Sequence, residues 1–329
     1  MKKAVIEVKN LSKEFKTYQR KEGLIEALKS LFIRKYKIKK AVDKINFTIN
    51  KGEIVGYIGP NGAGKSTTIK MMVGILVPDS GSVKSLSYNP WNQRKEYVAN
   101  IGIVLGQKSQ LWWDLPPVDS FSLLKAIYGI PKKDFDKRVE ELTRLLNVKD
   151  ISKTPVRNLS LGERMRCEFI AAMLHNPKIL FLDEPTIGLD AVAKEEIREF
   201  IKRINRKNKT TVILTTHNMD EIEELCRRII LIDKGKIIYD GPLAKIRKKY
   251  VRTKRVTVEL AEKVADLTLP QGCSLISGKN YRHEIEVNMG KASVSALISY
   301  LINNFDVTDV TIEEPKIEKI IKSVYEEHK

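Results

Sequence analysis

The chain of 329 residues is 42% hydrophobic and 30% charged, enough apolar content for one full-sized core and a second, smaller one, which excludes a disordered tail. Its 59 Lys and Arg against 41 Asp and Glu give a formal charge of +18, and apolar runs such as Phe169 to Leu174 fall far short of the roughly 18 residues of a spanning helix, so no segment is expected to cross a bilayer. The opening MKKAVIEVKN breaks into charge before a signal-peptide core can form, which predicts retention in the cytosol. Cys167, Cys226 and Cys273 are far apart with no CxxC pair, and the four histidines include no i, i+4 pair, which argues against a disulfide framework or a helical zinc site.

Residues 1–50 hold 14 Lys and Arg against 5 Asp and Glu, half of the whole surplus. A concentration of this kind faces nucleic acid, anionic lipid or an acidic partner, or is a solvated surface. Within it, roughly Lys16 to Lys40 is longer than a hairpin requires. Leu24, Ile25, Leu28, Leu31 and Phe32 fall at helical spacing and precede the basic run RKYKIKK. Such a helix lies on a membrane surface, docks on a partner, or packs its apolar face on the chain's own sheet.

After the strand KINFTI comes the apolar strand Ile54 to Ile58, then GPNGAGKST from Gly59 to Thr67, then the helical run TTIKMMVGIL. Strand, glycine-rich loop and helix together are the context of a P-loop. Gly59, Gly62 and Gly64, with Asn61 between, let backbone N–H groups curl around phosphate oxygens, and the helix N-terminus adds its positive dipole end. Lys65 is placed to neutralise β- and γ-phosphates, and Ser66, followed by Thr67, offers a hydroxyl to Mg²⁺.

A strand is predicted at Ile101 to Leu105, followed from Lys108 to about Ala172 by a helical insertion with helical patterns at Phe121 to Ile130 and Phe135 to Asn147. Trp112 and Trp113 fall at its start, either buried or at an interface. At its far end NLSLGERMR places Ser160 to cap a helix and, with Gly162, to leave an N-terminus able to bind an anion. The strand ILFLDEP, Ile179 to Pro185, ends in two carboxylates: Asp183 can hold Mg²⁺, and Glu184, on the other side of the chain, can accept a proton from an attacking water. Further strands are predicted at Val212 to Thr215, which leads into His217, and at Ile229 to Ile232. Alternating strands and helices predict an α/β domain with a largely parallel sheet. After a short basic helix, Leu243 to Tyr250, the alternation of Val256, Val258 and Leu260, then Ile285 and Val287, predicts a separate small domain closed by helices at Val294 to Asn304 and Ile317 to Glu327.

These motifs, in this order, resemble those of the nucleotide-binding subunits of ABC transporters: Walker A, signature, Walker B, D-loop and switch histidine, across roughly residues 4 to 245. The resemblance implies an α/β P-loop ABC ATPase with a mixed sheet core, a helical signature subdomain at about 108–172 and a small C-terminal α+β domain at 251–329, following an ATPase domain at 1–250 that carries the basic amphipathic insert 16–40. It implies ATP and Mg²⁺ as cofactors. Phe15 resembles the aromatic that stacks on adenine, with Tyr18 close by; Gln107 resembles the glutamine that reaches Mg²⁺ and water, with Gln110 close by; Asp190 in IGLD resembles the D-loop aspartate that contacts the opposite subunit. Ser160, Gly162 and Glu163 would close over the Walker A of a second ATPase subunit, most simply as a homodimer. The signature here is LSLGE, not the commonest LSGGQ, so Leu161 replaces a glycine and Glu163 a glutamine.

The last 80 or so residues resemble, by texture, the accessory domains of the ABC-2 export branch. The implied function is an ATP-hydrolysing motor on the cytoplasmic side of the cell membrane, bound to integral-membrane permease subunits, with anionic lipid as a further contact and no nucleic acid partner. The alternative is a soluble ABC ATPase acting on ribosomes or nucleic acid, for which the +18 charge speaks. A P-loop kinase of small molecules does not explain the signature and Glu184 together.

Overall fold

The computed structural model describes residues 3–18, 36–106, 108–264 and 267–328. The predicted helix Leu24 to Phe32 and the candidate Gln107 lie outside the described residues. The stretch 16–40 is not one insert throughout: its two ends belong to a long antiparallel pair, β1 (Ala4–Tyr18) and β2 (Tyr36–Asn50), with β4 (Ser80–Ser85) on the other side of β1.

The chain divides between Gly241 and Pro242 into two compact units, earlier than a boundary at 250. The helix Leu243–Tyr250 goes with the second unit because it buries Leu243 and Ile246 there and because the Tyr250 hydroxyl donates to Oε2 of Glu327 at 2.5 Å.

The first unit centres on a six-stranded sheet ordered β5-β6-β7-β3-β8-β9, comprising β3 (Ile54–Ile58), β5 (Ile101–Leu105), β6 (Ile179–Asp183), β7 (Thr211–Thr215), β8 (Arg228–Asp233) and β9 (Lys236–Pro242). The pairs β3/β7, β3/β8, β5/β6 and β6/β7 are parallel. A parallel sheet covered on both faces demands near-continuous apolar strands, and ILFL and TVILT are buried throughout. Register sets Asp183 beside Leu105 on one side and Thr215 on the other, so the carboxyl ends of these strands come level.

Helix α1 (Lys65–Met72) starts directly behind the glycine loop, and its Ile69, Met71 and Met72 share one core with Ile6, Val8 and Val42 of the antiparallel sheet and Tyr57 and Phe181 of the parallel one. That shared core anchors the loop from three sides. The short α2 (Arg94–Val98) precedes β5. The helical subdomain holds α3 (Pro117–Ile127), α4 (Lys132–Leu145) and α5 (Leu161–Met173). Pro117 opens α3 at a position where its missing N–H costs nothing. Helices α6 (Ala191–Asn208) and α7 (Met219–Leu225) follow β6 and β7.

The second unit contains α8 (Leu243–Tyr250) and an antiparallel sheet ordered β11-β12-β10-β13, from β10 (Thr253–Leu260), β11 (Cys273–Lys279), β12 (Arg282–Asn288) and β13 (Val307–Glu313). The predicted alternation holds: Val256, Val258, Leu260, Ile285 and Val287 are buried on one side, under Leu297 and Leu301 of α9 (Val294–Asn304). Helix α10 (Ile317–Glu327) buries Ile317, Ile320, Ile321 and Val324.

Candidate functional site

A cleft of about 640 Å³ opens at the carboxyl ends of β3, β5, β6 and β7, where open α/β sheets bind their ligands. From the P-loop it takes Asn61, Gly62, Gly64, Lys65, Ser66 and Thr67; from the end of β6, Asp183 and the Glu184 that follows it; from the turn after β7, His217; and from β1, Phe15.

The loop's shape is glycine-dependent at two points. Gly64 sits at φ 110°, and a Cβ there would stand 2.3 Å from the Ala41 carbonyl oxygen; a Cβ on Gly59 would stand 2.4 Å from that of Ile232. Lys65 is 7% exposed, and its ammonium donates to the carbonyl oxygens of Gly59 at 2.6 Å and Pro60 at 3.3 Å. Burial lowers its pKa, opposed by the charges of Glu184 and Asp183. Thr68 ties the helix start down by donating to the Gly64 carbonyl at 3.0 Å.

Asp183 accepts the Thr215 hydroxyl on Oδ1 at 2.5 Å, which leaves its other oxygen without a hydrogen bond among the described residues. Glu184, just past the strand, adopts the left-handed φ of 54°. Its N–H donates to the Thr215 carbonyl at 2.9 Å, and a Cβ on Gly106 would fall 2.1 Å from its carbonyl oxygen, so the turn after β5 must be glycine to fit beneath it. The carboxylate faces His217: Oε2 accepts the His217 backbone N–H at 3.3 Å, and Oε1 lies 3.2 Å from Nε2. That second approach lacks hydrogen-bond geometry, so among the described residues Oε1 is a buried acceptor without a donor. Burial pushes the Glu184 carboxyl above the usual carboxylate range, against the pull of His217 and Lys65 and with the added repulsion of Asp183.

Phe15 is 41% exposed, with the Lys13 ammonium 6.0 Å from its ring centre. Gln110, the neighbour of Gln107, is not in the cleft: its amide donates to the Ile103 carbonyl at 2.8 Å and its N–H to the Glu168 carboxylate, which holds it against β5.

Ser160, Gly162, Glu163 and Asp190 do not line this cleft. They form a second cluster at two helix N-termini. Ser160 and Glu163 make a reciprocal capping box, the Glu163 N–H donating to Ser160 Oγ at 3.3 Å and the Ser160 N–H to Glu163 Oε2 at 2.8 Å. The Ser160 N–H, followed by its hydroxyl, draws the Glu163 pKa below its usual value. Asp190 caps α6, accepting the Ala193 N–H at 2.8 Å. The two helix starts approach so closely that a Cβ on Gly162 would lie 3.1 Å from that of Ala193. Leu161 is tolerated because it packs over Gly188, its Cδ2 3.0 Å from where a Cβ there would be.

Trp112 and Trp113 are not buried: they are 54% and 52% exposed, Trp113 lying under the Arg164 guanidinium at 5.5 Å. Sequence reasoning missed Thr215 and Gly106, whose roles arise from strand register, and Lys39, which also lines the cleft.

The family model for ABC transporters matches residues 42–187. The ABC transporter ATP-binding protein NatA of Bacillus subtilis is 33% identical over 212 residues, covering 64% of this chain and 86% of NatA. The methionine import ATP-binding protein MetN of Halalkalibacterium halodurans is 32% identical over 305 residues, 92% of this chain and 89% of MetN. The bacitracin transport ATP-binding protein BcrA of Bacillus licheniformis is 31% identical over 214 residues, 65% of this chain and 69% of BcrA. Among solved structures, the dimeric ATP-binding cassette MJ0796 bound to ADP and Pi in a post-hydrolysis state superposes with a TM-score of 0.60 at 25% identity, over 72% of this chain and 98% of that one. With P-loop, paired carboxylates and histidine assembled at one sheet end, the chain belongs to the ABC transporter ATP-binding proteins, a family of ATP-binding and ATP-hydrolysing subunits.

Proposed function

We propose that this chain is the motor subunit of an ABC-2 type exporter, working as a dimer on the cytoplasmic side of the cell membrane and bound to separate integral-membrane permease subunits. The observation that carries the reading is the separation of the two clusters: the phosphate cleft holds Lys65, Glu184 and His217, whereas the capped N-terminus at Ser160 and Gly162 opens elsewhere on the same chain. An anion-binding helix start that does not serve its own cleft is suited to serve that of a second copy. In this reading Phe15 stacks on adenine, Asp190 meets the partner, and Glu184, with an open buried oxygen, takes the proton of the attacking water while His217 orients it.

Among the described residues no group of three His, Cys, Asp or Glu could hold a metal ion. Ser66 and the Asp183 oxygen that has no hydrogen bond among the described residues are hard donors that fit Mg²⁺; Gln107, the further donor that the family resemblance implies, lies outside the described residues. Bound there, Mg²⁺ supplies neutralisation of phosphate charge.

Among the described residues no helix is long and apolar enough to cross a membrane, so in this reading the permease is another polypeptide. The exposed Trp112 and Trp113 are our candidates for its docking surface. The similarity to BcrA, named for bacitracin transport, supports a transport role. One observation favours a second reading, import: the match to MetN spans both units, whereas that to NatA covers 64% of the chain. Purifying the tagged chain from membranes and identifying what accompanies it tests both. Permeases are the expected companions, and the direction of ATP-driven flux in vesicles carrying them separates export from import. Ribosomes or DNA in their place would replace transport by the soluble reading.

A further inference from the structure

The basic run RKYKIKK, which the sequence leaves open as a membrane, partner or solvated surface, runs into β2, and the structure gives its last two lysines different surroundings. Lys40 turns to carboxylates, its ammonium 3.8 Å from Glu14 and 3.8 Å from Asp43. Side chains alternate along a strand, so Lys39 faces the other way. It is paired across the sheet with Phe15, which puts the two side chains on one face, and both line the nucleotide cleft. The Lys39 ammonium comes within 3.9 Å of where a Cβ on Gly62 would stand, at the rim of the P-loop.

Among the described residues Lys39 has no ion pair and no hydrogen bond, whereas its neighbours are engaged: Lys13 with Asp79 at 2.7 Å, and Lys40 as above. A cation held over a phosphate loop with no acid beside it is matched to an anionic ligand. We infer that Lys39 is a nucleotide-binding residue, a second ammonium that meets the polyphosphate between Phe15 and the P-loop. It reaches the phosphates from the antiparallel sheet, independently of Lys65, whose ammonium is held by the Gly59 and Pro60 carbonyls. The inference rests on the reading of this cleft as the ATP site.

The test is calorimetric titration of the full chain with ATP, for wild type, Lys39→Arg, Lys39→Met, Lys39→Glu, Lys40→Met and Lys65→Ala. Lys39→Met should weaken ATP binding about 10- to 100-fold, as expected for one charge-assisted contact, and Lys39→Glu should weaken it further, while Lys39→Arg and Lys40→Met stay near wild type. The loss should shrink between about 0.1 M and 1 M salt, where the Debye length falls from about 10 Å to about 3 Å. Unchanged affinity in Lys39→Met would overturn the inference, as would equal, salt-independent losses in the Met and Glu variants or an equal loss in Lys40→Met. If wild type binds no ATP, or Lys65→Ala binds it as well as wild type, the reading of the cleft itself is what fails.

Discussion

The Thr186 hydroxyl donates a short hydrogen bond to Oε1 of Glu221, with both residues buried, at 4% and 1% exposure. Thr186 lies just past Glu184, and Glu221 one helical turn past His217, so this bond is a second tie between two segments already joined by the Glu184 carboxylate and His217. It braces a glutamate whose φ of 54° a side chain rarely adopts. Thr186→Val leaves a buried carboxylate without its donor and should cost about 1–3 kcal/mol of stability. Glu221→Gln and Thr186→Val should each lower kcat more than they raise KM, and the double variant should be little worse than either single one. Additive effects in that cycle would show that the two residues do not act together.

Glu184→Gln should bind ATP normally and lose about 100- to 10,000-fold in turnover, the usual range for removing a general base. The raised pKa adds a stability signature. A carboxyl whose folded-state pKa is raised binds more protons folded than unfolded across the window between its ordinary and its raised value, so stability falls as pH rises through that window. Glu184→Gln should therefore melt higher than wild type at neutral pH, and the two should converge below the ordinary carboxylate range. Wild-type turnover would remove Glu184 from the mechanism.

Glu163 titrates with the opposite sign. Its pKa is lowered by the Ser160 N–H and hydroxyl, so its contribution is complete above the ordinary carboxylate value and is lost as pH falls through the lowered one. Glu163→Ala should cost about 1 kcal/mol by opening the capping box, whereas Glu163→Gln, which can fill the same position, should hold stability and lose the acid dependence. Melting curves of both variants between neutral and acid pH check this, and equal losses in both would put the effect in charge alone.

Because the signature cluster lies outside its own cleft, activity should depend on two chains. A mixed dimer with Ser160→Arg in one subunit and Lys65→Ala in the other should keep at most one working site, and a dimer with both substitutions in each subunit should keep none. Equal ATPase rates in the two preparations would argue against a site shared across the interface.

A chain ending at Gly241 should still bind ATP, since the cleft draws every lining residue from the first unit. The complete chain should lose on truncation only what residues 242–329 bring, measured by calorimetric ATP titration with circular dichroism as the check on folding. A folded truncation that has lost ATP affinity would contradict the independence of the two units.

Much of the site was legible because local patterns carry it. GPNGAGKST between an apolar strand and a helix, ILFLDE with its paired acids, and an Ser160-to-Glu163 capping signature each encode their geometry within a few residues, so strand ends, loop and helix start follow from the sequence alone. The alternation of Val256, Val258 and Leu260 likewise fixed the buried side of β10, because one face of a half-covered sheet must be apolar. Tertiary structure decided what depends on register and on packing between distant segments. That Thr215 meets Asp183, that Glu221 holds Thr186, and that α8 joins the second unit are facts of which strand or helix lies beside which. Lys39 and Lys40 show the limit most plainly. As neighbours in one basic run they are indistinguishable by composition, yet strand alternation and the pairing of Lys39 with Phe15 turn one toward the P-loop and leave the other with Glu14 and Asp43.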